Sequence, residues 1–156
     1  MSDILPRIEK ISESERETRI FASRLGDILE GGILIGLDGE LGSGKTCFVQ
    51  GLAHGLGIPP EDVSSPTFVI CHVYQGEMTL LHVDAYRLRQ IDEFEELAIP
   101  ESLESGAVVI VEWSERVTAA LPADRLQVQI DELSPKRRRI TISAGGEFSR
   151  KVLAKW

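Results

Sequence analysis

The sequence predicts an α/β fold, specifically a three-layer sandwich with parallel strands at its centre and antiparallel strands at its edges. Two continuous apolar runs, residues 33–37 and 107–111, lack the alternation of a half-exposed strand and are typical of central strands covered on both faces. Four further runs pair across short connections as antiparallel hairpins. These are residues 67–74 with 78–83, and residues 125–130 with 138–143. Helical patterns separate the strands, as expected of a sheet with helices on both sides.

The first helix is expected to begin near Ser12 or Ser14, because each serine is followed three residues later by a glutamate, as in a capping box. Apolar side chains recur along this helix at helical spacing and form one face. They are Ile20, Phe21, Leu25, Ile28 and Leu29. The helix is expected to end at Gly31 and Gly32.

Three further helical segments are expected. The first follows the glycine-rich loop described below and ends before Gly57. The second starts at Asp92, with Glu95 in the capping position, and is interrupted by Pro100. The third covers residues 114–121.

The composition indicates an ordinary globular protein. The chain has 156 residues, of which 42% are hydrophobic and 27% charged, so we expect residues 1–156 to form a single domain. Its formal net charge of −8 argues against a large nucleic-acid-binding face, because phosphate backbones are bound by concentrated Lys and Arg. The basic run at residues 136–139 is the exception, and its default interpretation is a solvated hairpin tip.

The first sixteen residues are polar and acidic, without the pattern of a secretory signal. The apolar runs are too short to cross a membrane. We therefore expect a cytoplasmic protein without membrane contact, in which Cys47 and Cys71 stay reduced. Both cysteines are interpreted as buried free thiols.

The most specific motif is a complete G-x-x-x-x-G-K-[ST] loop between a strand and a helix. It consists of Gly39, Glu40, Leu41, Gly42, Ser43, Gly44, Lys45 and Thr46. In such a loop the backbone N–H groups turn inward around a phosphate, and the following helix adds its positive end. Lys45 would reach the β and γ phosphates, and the Thr46 hydroxyl would bind Mg²⁺. The loop predicts a P-loop NTPase-like fold that binds a nucleoside triphosphate.

Two carboxylates and one hydroxyl are expected near this loop, because ligands of such sheets bind beyond the carboxyl ends of the strands. Asp84 and Glu112 each follow an apolar strand and are candidates to bind Mg²⁺ or to orient an attacking water. The alternatives are a turn cap for Asp84 and a solvated strand end for Glu112. Thr67 follows a proline and is a candidate switch residue that senses the γ phosphate, or the start of a strand.

The base is expected to be adenine. The chain contains no asparagine, so the Asn-Lys-x-Asp element that reads guanine in many GTPases is absent. Asp84 is also not followed by the glycine that a GTPase switch would place three residues on. The histidines at positions 54, 72 and 82 are interpreted as structural, and Trp113 as a core residue.

Taken together, these segments resemble the TsaE (YjeE) family of small bacterial P-loop ATPases required for threonylcarbamoyladenosine formation in tRNA. The resemblance covers most of the chain, through residues 17–18, 39–46, 65–68, 82–88, 95–97 and 111–113. It implies binding of ATP and Mg²⁺, weak intrinsic hydrolysis, and work with TsaB and TsaD partners that carry the tRNA and the transfer chemistry. Contact with tRNA would then be indirect.

The resemblance also implies roles for individual residues. Thr46 and Glu112 would be metal ligands, Asp84 a second acidic group that is catalytic or binds the metal, and Thr67 the switch threonine. Thr18, Cys47 and Arg138 would lie at the nucleotide, with the loop residues 39–46. Glu40, Ser43 and Cys47 stand where the family commonly has Asp, Ala and Thr, and none of these departures removes a phosphate or metal ligand.

Two other function classes share the loop. A small-molecule kinase would need an acceptor-binding segment and an arginine-rich lid, for which residues 136–139 are the one candidate. A non-hydrolysing, nucleotide-dependent binding module would need no catalytic carboxylate. A phosphorylated metabolite would indicate the kinase, free phosphate the ATPase, and neither product the binding module.

Overall fold

The computed structural model describes residues 7–64 and 70–156. Within these residues, seven strands form one mixed sheet in the order β1-β7-β6-β2-β5-β4-β3. The strands are β1 (Arg7–Ser12), β2 (Ile33–Gly39), β3 (Cys71–Gln75), β4 (Thr79–Asp84), β5 (Val108–Glu112), β6 (Leu126–Ser134) and β7 (Arg137–Ala144). The α-helices are α1 (Glu15–Ile28), α2 (Lys45–Gly55), α3 (Ile91–Glu95), α4 (Ile99–Glu104) and α5 (Glu147–Leu153).

The strand directions confirm the predicted sheet. β2 is parallel to β5 and β6, and β5 is parallel to β4. The outer pairs, β3 with β4, β6 with β7, and β1 with β7, are antiparallel. Every residue of β2 and β5 is buried, as the two continuous apolar runs predict.

Two apolar cores lie on opposite faces of the sheet, because side chains alternate between the faces of each strand. On one face, Leu25 of α1 and Phe48 and Leu52 of α2 belong to the same core as Ile35 and Leu37 of β2. The other core is built on the intervening strand positions and on α3, α4 and the segment after β5. Its members include Phe94, Ile99, Val109, Val111 and Val117. The α/β fold with three layers is therefore confirmed.

Helices α1 and α2 cross at very short range. A Cβ atom added at Gly51 would lie 2.3 Å from the carbonyl oxygen of Arg19, and one at Gly55 would lie 2.4 Å from that of Ser23. Only glycine fits at these positions without a backbone shift. This crossing seats α2, which begins at the phosphate-binding loop, against the N-terminal helix.

The beginning of α1 resolves the choice between the two serines. Ser14 is the cap, because its side chain accepts a hydrogen bond from the Glu17 N–H at 3.1 Å, and Glu17 accepts one from the Glu13 N–H. Ser12 instead ends β1, where it pairs with Arg138. The helix also ends at Ile28, before the predicted glycines.

Other predicted boundaries shift slightly. α3 begins at Ile91 and its cap, Gln90, makes no side-chain capping bond, so capping by Asp92 was wrong. Pro100 lies in the first turn of α4, a position that proline tolerates, and does not break a longer helix. The segment Ser114–Ala120 forms 3-10 helix. The predicted strand 67–74 is described only from residue 70 onward, and β3 begins at Cys71.

Two elements were not predicted, namely β1 and α5. β1 is an edge strand in which half of the residues are charged and exposed, so it lacks an apolar pattern. α5 has only seven residues, too few for a clear helical period. Cys47 and Cys71 are free, as expected, but they are half-buried and not buried. None of the helices among the described residues is sufficiently long and apolar to cross a membrane.

Candidate functional site

The glycine-rich loop joins the carboxyl end of β2 to the amino end of α2. Gly44 caps α2 with φ of +107°, a conformation that favours glycine, and no side chain caps the helix. The N–H groups of the first turn therefore have no side-chain partner at the helix end. Such a helix end is suited to bind an anion.

A cavity of about 830 Å³ lies over the loop and the start of α2. Lys45 and Thr46 line it from the helix. Asp84 and Glu112 line it from the ends of β4 and β5, where they are direct neighbours in the parallel register. The structure thus brings together the four polar side chains that sequence reasoning assigned to phosphate and metal.

A second cavity, of about 610 Å³, lies on the other side of the loop. It shares Gly42, Gly44 and Cys47 with the first cavity. Thr18 and Arg138, which were predicted to touch the nucleotide, both line it. The two cavities therefore adjoin the same part of the loop from two sides.

The Lys45 ammonium group is bonded to the loop itself. Its Nζ donates to the carbonyl oxygens of Gly39 at 2.5 Å and Glu40 at 3.1 Å. It also lies 4.2 Å from the centre of the Trp113 ring. Burial lowers the pKa of Lys45, and the nearby carboxylates of Glu112 and Asp84 oppose this change.

Glu112 is almost fully buried at 5% exposure, which excludes the solvated strand end. Its Oε2 is hydrogen-bonded to Nε2 of His82, a residue with no exposed surface. The sequence analysis interpreted His82 as structural and missed this contact. The available signal was its position two residues before Asp84, which places both side chains on the same face of β4.

Asp84 caps a turn, as one of its two predicted alternatives has it, and also lines the cavity. Its Oδ1 accepts from the Tyr86 N–H at 3.0 Å, which caps a short 3-10 turn, while the same carboxylate lines the cavity. Burial raises the pKa of Asp84 and the charge of Glu112 adds to this, whereas the Tyr86 N–H and the Arg87 guanidinium act in the opposite direction. Nε of Arg87 lies 3.6 Å from Oδ2 of Asp84.

Asp38 anchors the chain that follows Glu112. Its buried carboxylate accepts from the Ser114 hydroxyl at 2.6 Å, from the Gln127 amide at 2.5 Å and from the Glu115 N–H at 3.3 Å. These bonds tie β2, directly before the loop, to β6 and to the turn after Trp113. Sequence reasoning missed this network.

Arg138 lies against the back of the loop. Its guanidinium donates to the carbonyl oxygens of Ser43 at 2.8 Å, Gly42 at 3.3 Å and Ser134 at 2.8 Å. Arg138 therefore joins the back of the loop to the turn between β6 and β7, and it also lies 3.9 Å from the Glu132 carboxylate.

The remaining predicted residues have varied positions. The Thr18 hydroxyl is buried and bonded to Ser12 at 2.7 Å. Cys47 donates to the Glu15 carbonyl at 3.2 Å, and burial raises the pKa of its thiol.

Leu41 is 86% exposed at the tip of the loop. Thr67 lies outside the described residues.

The donor set around the cavity fits Mg²⁺. Among the described residues no group of three or more His, Cys, Asp or Glu is arranged to enclose a metal ion. The cavity offers two carboxylates and the Thr46 hydroxyl, all oxygen ligands. Mg²⁺ in nucleotide sites is usually held by one or two carboxylates with phosphates and waters, so this incomplete set suits a metal that arrives with its nucleotide.

Comparisons with known proteins agree with this arrangement. The family model described as "Threonylcarbamoyl adenosine biosynthesis protein TsaE" matches residues 12–140. A protein of Treponema pallidum named "tRNA threonylcarbamoyladenosine biosynthesis protein TsaE" is 39% identical over 133 residues, 85% of this chain and 98% of its own. A Streptomyces coelicolor protein of the same name is 42% identical, over 83% of this chain and 91% of its own.

Among solved structures, the fold is similar to that of Bacillus subtilis YdiB. The two structures superimpose with a TM-score of 0.79 at 28% sequence identity, over 99% of this chain and 96% of the other.

Proposed function

This chain belongs to the TsaE family, which takes part in tRNA threonylcarbamoyladenosine biosynthesis, and we propose that it acts there as a Mg²⁺-dependent ATPase. The observation that carries the proposal is the cavity over the phosphate-binding loop, in which Lys45, Thr46, Asp84 and Glu112 meet. Hydrolysis of a phosphoanhydride needs its phosphates held, their charge neutralised and a water oriented, with little covalent work by the protein. These four side chains are suited to those tasks.

The loop and Lys45 hold the phosphates in this proposal. The open N–H groups at the start of α2 bind them, and Lys45 exchanges its bonds to the Gly39 and Glu40 carbonyls for bonds to phosphate oxygens. The Trp113 ring beside the ammonium keeps it over the cavity during this exchange.

Thr46, Glu112 and Asp84 are the residues proposed to hold Mg²⁺. When bound, the ion neutralises charge that develops on the phosphate oxygens. Asp84, the more exposed of the two carboxylates, also orients the attacking water. Thr67 is proposed as the residue that senses the γ phosphate.

The second cavity is proposed to receive the base and ribose of ATP. Thr18 and Arg138 line it, and Cys47 stands between it and the phosphate side. Arg138 contributes chiefly by supporting the Ser43 and Gly42 carbonyls, which keeps the loop in shape when the nucleotide enters.

Weak hydrolysis alone and stimulation by TsaB and TsaD complete the proposal. Two large apolar side chains, Leu41 at 86% and Tyr86 at 59% exposure, stand at the mouth of the cavity, where a protein partner would cover them. The net charge of −8 disfavours direct binding of tRNA, which the partners would carry. Residues 1–156 are proposed to act as one domain in the cytoplasm.

The deciding experiment measures products from ATP, with the chain alone and with purified TsaB and TsaD. We expect slow release of free phosphate that is faster with the partners and abolished by EDTA. Transfer of phosphate to a metabolite would identify a kinase, and nucleotide binding with no product under either condition would identify a binding module.

A further inference from the structure

We propose that His82 is a positioning residue for Glu112: its imidazole holds one carboxylate oxygen and so aims the other at the cavity. The inference rests on the proposed function, because the aimed oxygen serves as a metal ligand there. It concerns the only side-chain hydrogen bond that Glu112 makes among the described residues.

The register of the sheet sets up the contact. In parallel β4 and β5, His82 lies opposite Ile110 and Asp84 lies opposite Glu112. His82, Asp84 and Glu112 all project from the face that carries the loop and α2, because they share the alternation of Leu80, Val108 and Ile110. His82 therefore lies two residues before Asp84 on β4, farther from the carboxyl ends of the strands than the two carboxylates.

The bond between His82 and Glu112 is shielded from water. The side chains of His82 and Glu112 are 0% and 6% exposed, so water does not compete for either group. A buried carboxylate requires a hydrogen-bond donor, and the N–H at Nε2 of His82 provides one for Oε2. The opposite ring atom, Nδ1, is buried without a partner among the described residues.

Of the two tautomers of an imidazole, this pattern favours one. With its proton on Nε2, His82 donates to Glu112, and Nδ1 is a bare acceptor. With its proton on Nδ1, a donor would be buried unpaired, and Nε2 would direct its lone pair at a carboxylate. The ring thus makes one side-chain bond, to Glu112, as expected of a residue whose task is to orient that carboxylate.

The test compares His82→Leu with wild type and with His72→Leu, a control at the half-buried histidine directly opposite His82 on β3, whose ring faces Tyr74. Calorimetry measures ADP affinity in Mg²⁺ and in EDTA, and a Mg²⁺ titration gives its half-saturating concentration. Loss of a group that orients a metal ligand typically costs about 10- to 100-fold in metal affinity. We expect a rise of that size in the half-saturating Mg²⁺ concentration of His82→Leu. The ADP affinity of this variant in EDTA should stay within about twofold of wild type.

Two further variants separate positioning from a general loss of structure. His82→Gln keeps an N–H donor and is expected to recover part of the lost Mg²⁺ affinity. His82→Leu combined with Glu112→Gln is expected to bind Mg²⁺–ADP no more weakly than Glu112→Gln alone, because the two residues act as one unit. A shift no larger in His82→Leu than in His72→Leu, or fully additive losses, would overturn the inference.

A measurement on the wild-type chain covers the case in which His82→Leu does not fold. Nitrogen-15 chemical shifts of the histidine rings report their tautomers, and we expect Nε2–H for His82. An Nδ1–H tautomer would overturn the inference. If wild type itself binds ADP equally in Mg²⁺ and EDTA, the proposed metal-dependent function fails, and the positioning role fails with it.

Discussion

Lys45 makes contacts within its own loop that a bound phosphate is proposed to replace. Its ammonium group is bonded to two carbonyls of its own loop and faces an aromatic ring. Burial lowers its pKa, so the charged form is less favourable here than in water. A phosphate in the cavity would restore a strong partner for that charge.

Replacing Lys45 by Ala is expected to weaken ATP–Mg²⁺ binding by about 10- to 100-fold, the loss of roughly 1.5–3 kcal/mol from hydrogen bonds to a charged group. Thr46→Ala is expected to act in the same direction. Lys151→Ala is the control, because Lys151 is an exposed lysine of α5. Calorimetry on variants with wild-type circular dichroism checks this, and undiminished binding in both loop variants would refute the phosphate-binding assignment.

Asp84 is expected to lower the stability of the ligand-free protein while it supports ATP hydrolysis. Because its pKa is raised in the folded protein, the ionised carboxylate disfavours folding at neutral pH. Asp84→Asn should raise the Tm of the ligand-free protein by roughly 2–4 °C, the change that about 1 kcal/mol makes in a chain of this size. ATP hydrolysis should fall.

The pH dependence gives this prediction its sign. The higher Tm of Asp84→Asn relative to wild type should be present at neutral pH. It should disappear as the pH falls through the raised pKa of Asp84 toward the ordinary value for Asp, near 4. Thermal unfolding at neutral pH and at about pH 4 measures it. A variant less stable than wild type at neutral pH would show that the bond from the Tyr86 N–H to the charged carboxylate outweighs the cost of burying that charge beside Glu112.

The crossing of α1 and α2 is the contact between elements that sets the position of the loop. Gly51→Ala would normally favour a helix by about 1 kcal/mol. Here the new methyl group would meet the Arg19 carbonyl at 2.3 Å, and both helices would have to separate. We expect a net destabilisation of about 1–3 kcal/mol, typical of overpacking. Urea unfolding decides the sign, and a stabilised variant would contradict the rigid crossing.

Helix α5 depends on a cap from a distant residue. Asp124 accepts from the N–H groups of Phe148 and Ser149, both at 2.9 Å, while the helix's own cap position is Gly146. Burial alone would raise the pKa of Asp124, but the Ser149 side chain, these two N–H groups and the charge of Arg150 together lower it.

Asp124→Ala is expected to destabilise the protein by about 1 kcal/mol at neutral pH, the usual cost of losing a cap. Because the pKa is lowered on folding, this contribution exists above the unfolded value near 3.9 and is lost as the pH falls through the folded value. Chemical unfolding at neutral and acidic pH measures it. Asp92→Ala is the control, because Asp92 is an exposed residue of α3, and equal losses in both variants would refute the capping role.

At the scale of the whole molecule, one sheet carries the site at its centre. The loop follows β2, and the two carboxylates end β5 and β4, the next strands in the sheet order. Their carboxyl ends share one edge because all three strands are parallel. The antiparallel hairpins lie outside this centre, and β7 adds Arg138 behind the loop.

The composition of the entire chain leads to a prediction about the base. Without any asparagine, the chain has no Asn-Lys-x-Asp element to bind guanine. ATP should therefore bind at least about tenfold more tightly than GTP, the effect of roughly 1.4 kcal/mol. Fluorescence titration with both nucleotides, using Trp113 beside Lys45 as the reporter, tests it. Equal affinities would count against adenine recognition.

Much of the fold was predictable because its signals are local. The apolar runs of β2 and β5, the loop between Gly39 and Thr46 and the Ser14 capping box each lie within a few neighbouring residues. By contrast, β1 and α5 could not be predicted, because a polar edge strand and a seven-residue helix carry weak patterns of their own. Packing against β7 and the cap from Asp124 hold them in place.

The sequence by itself determined the family, the α/β class and the loop, since these depend on residue type and short spacing. The tertiary structure decided which distant side chains contact the loop and the residues beside it. His82 meets Glu112 across 30 positions, Ser114 meets Asp38 across 76, and Arg138 reaches Ser43 across 95. Such pairs follow from strand order and register, which no local pattern contains, because they are set by how the whole sheet buries its two apolar faces.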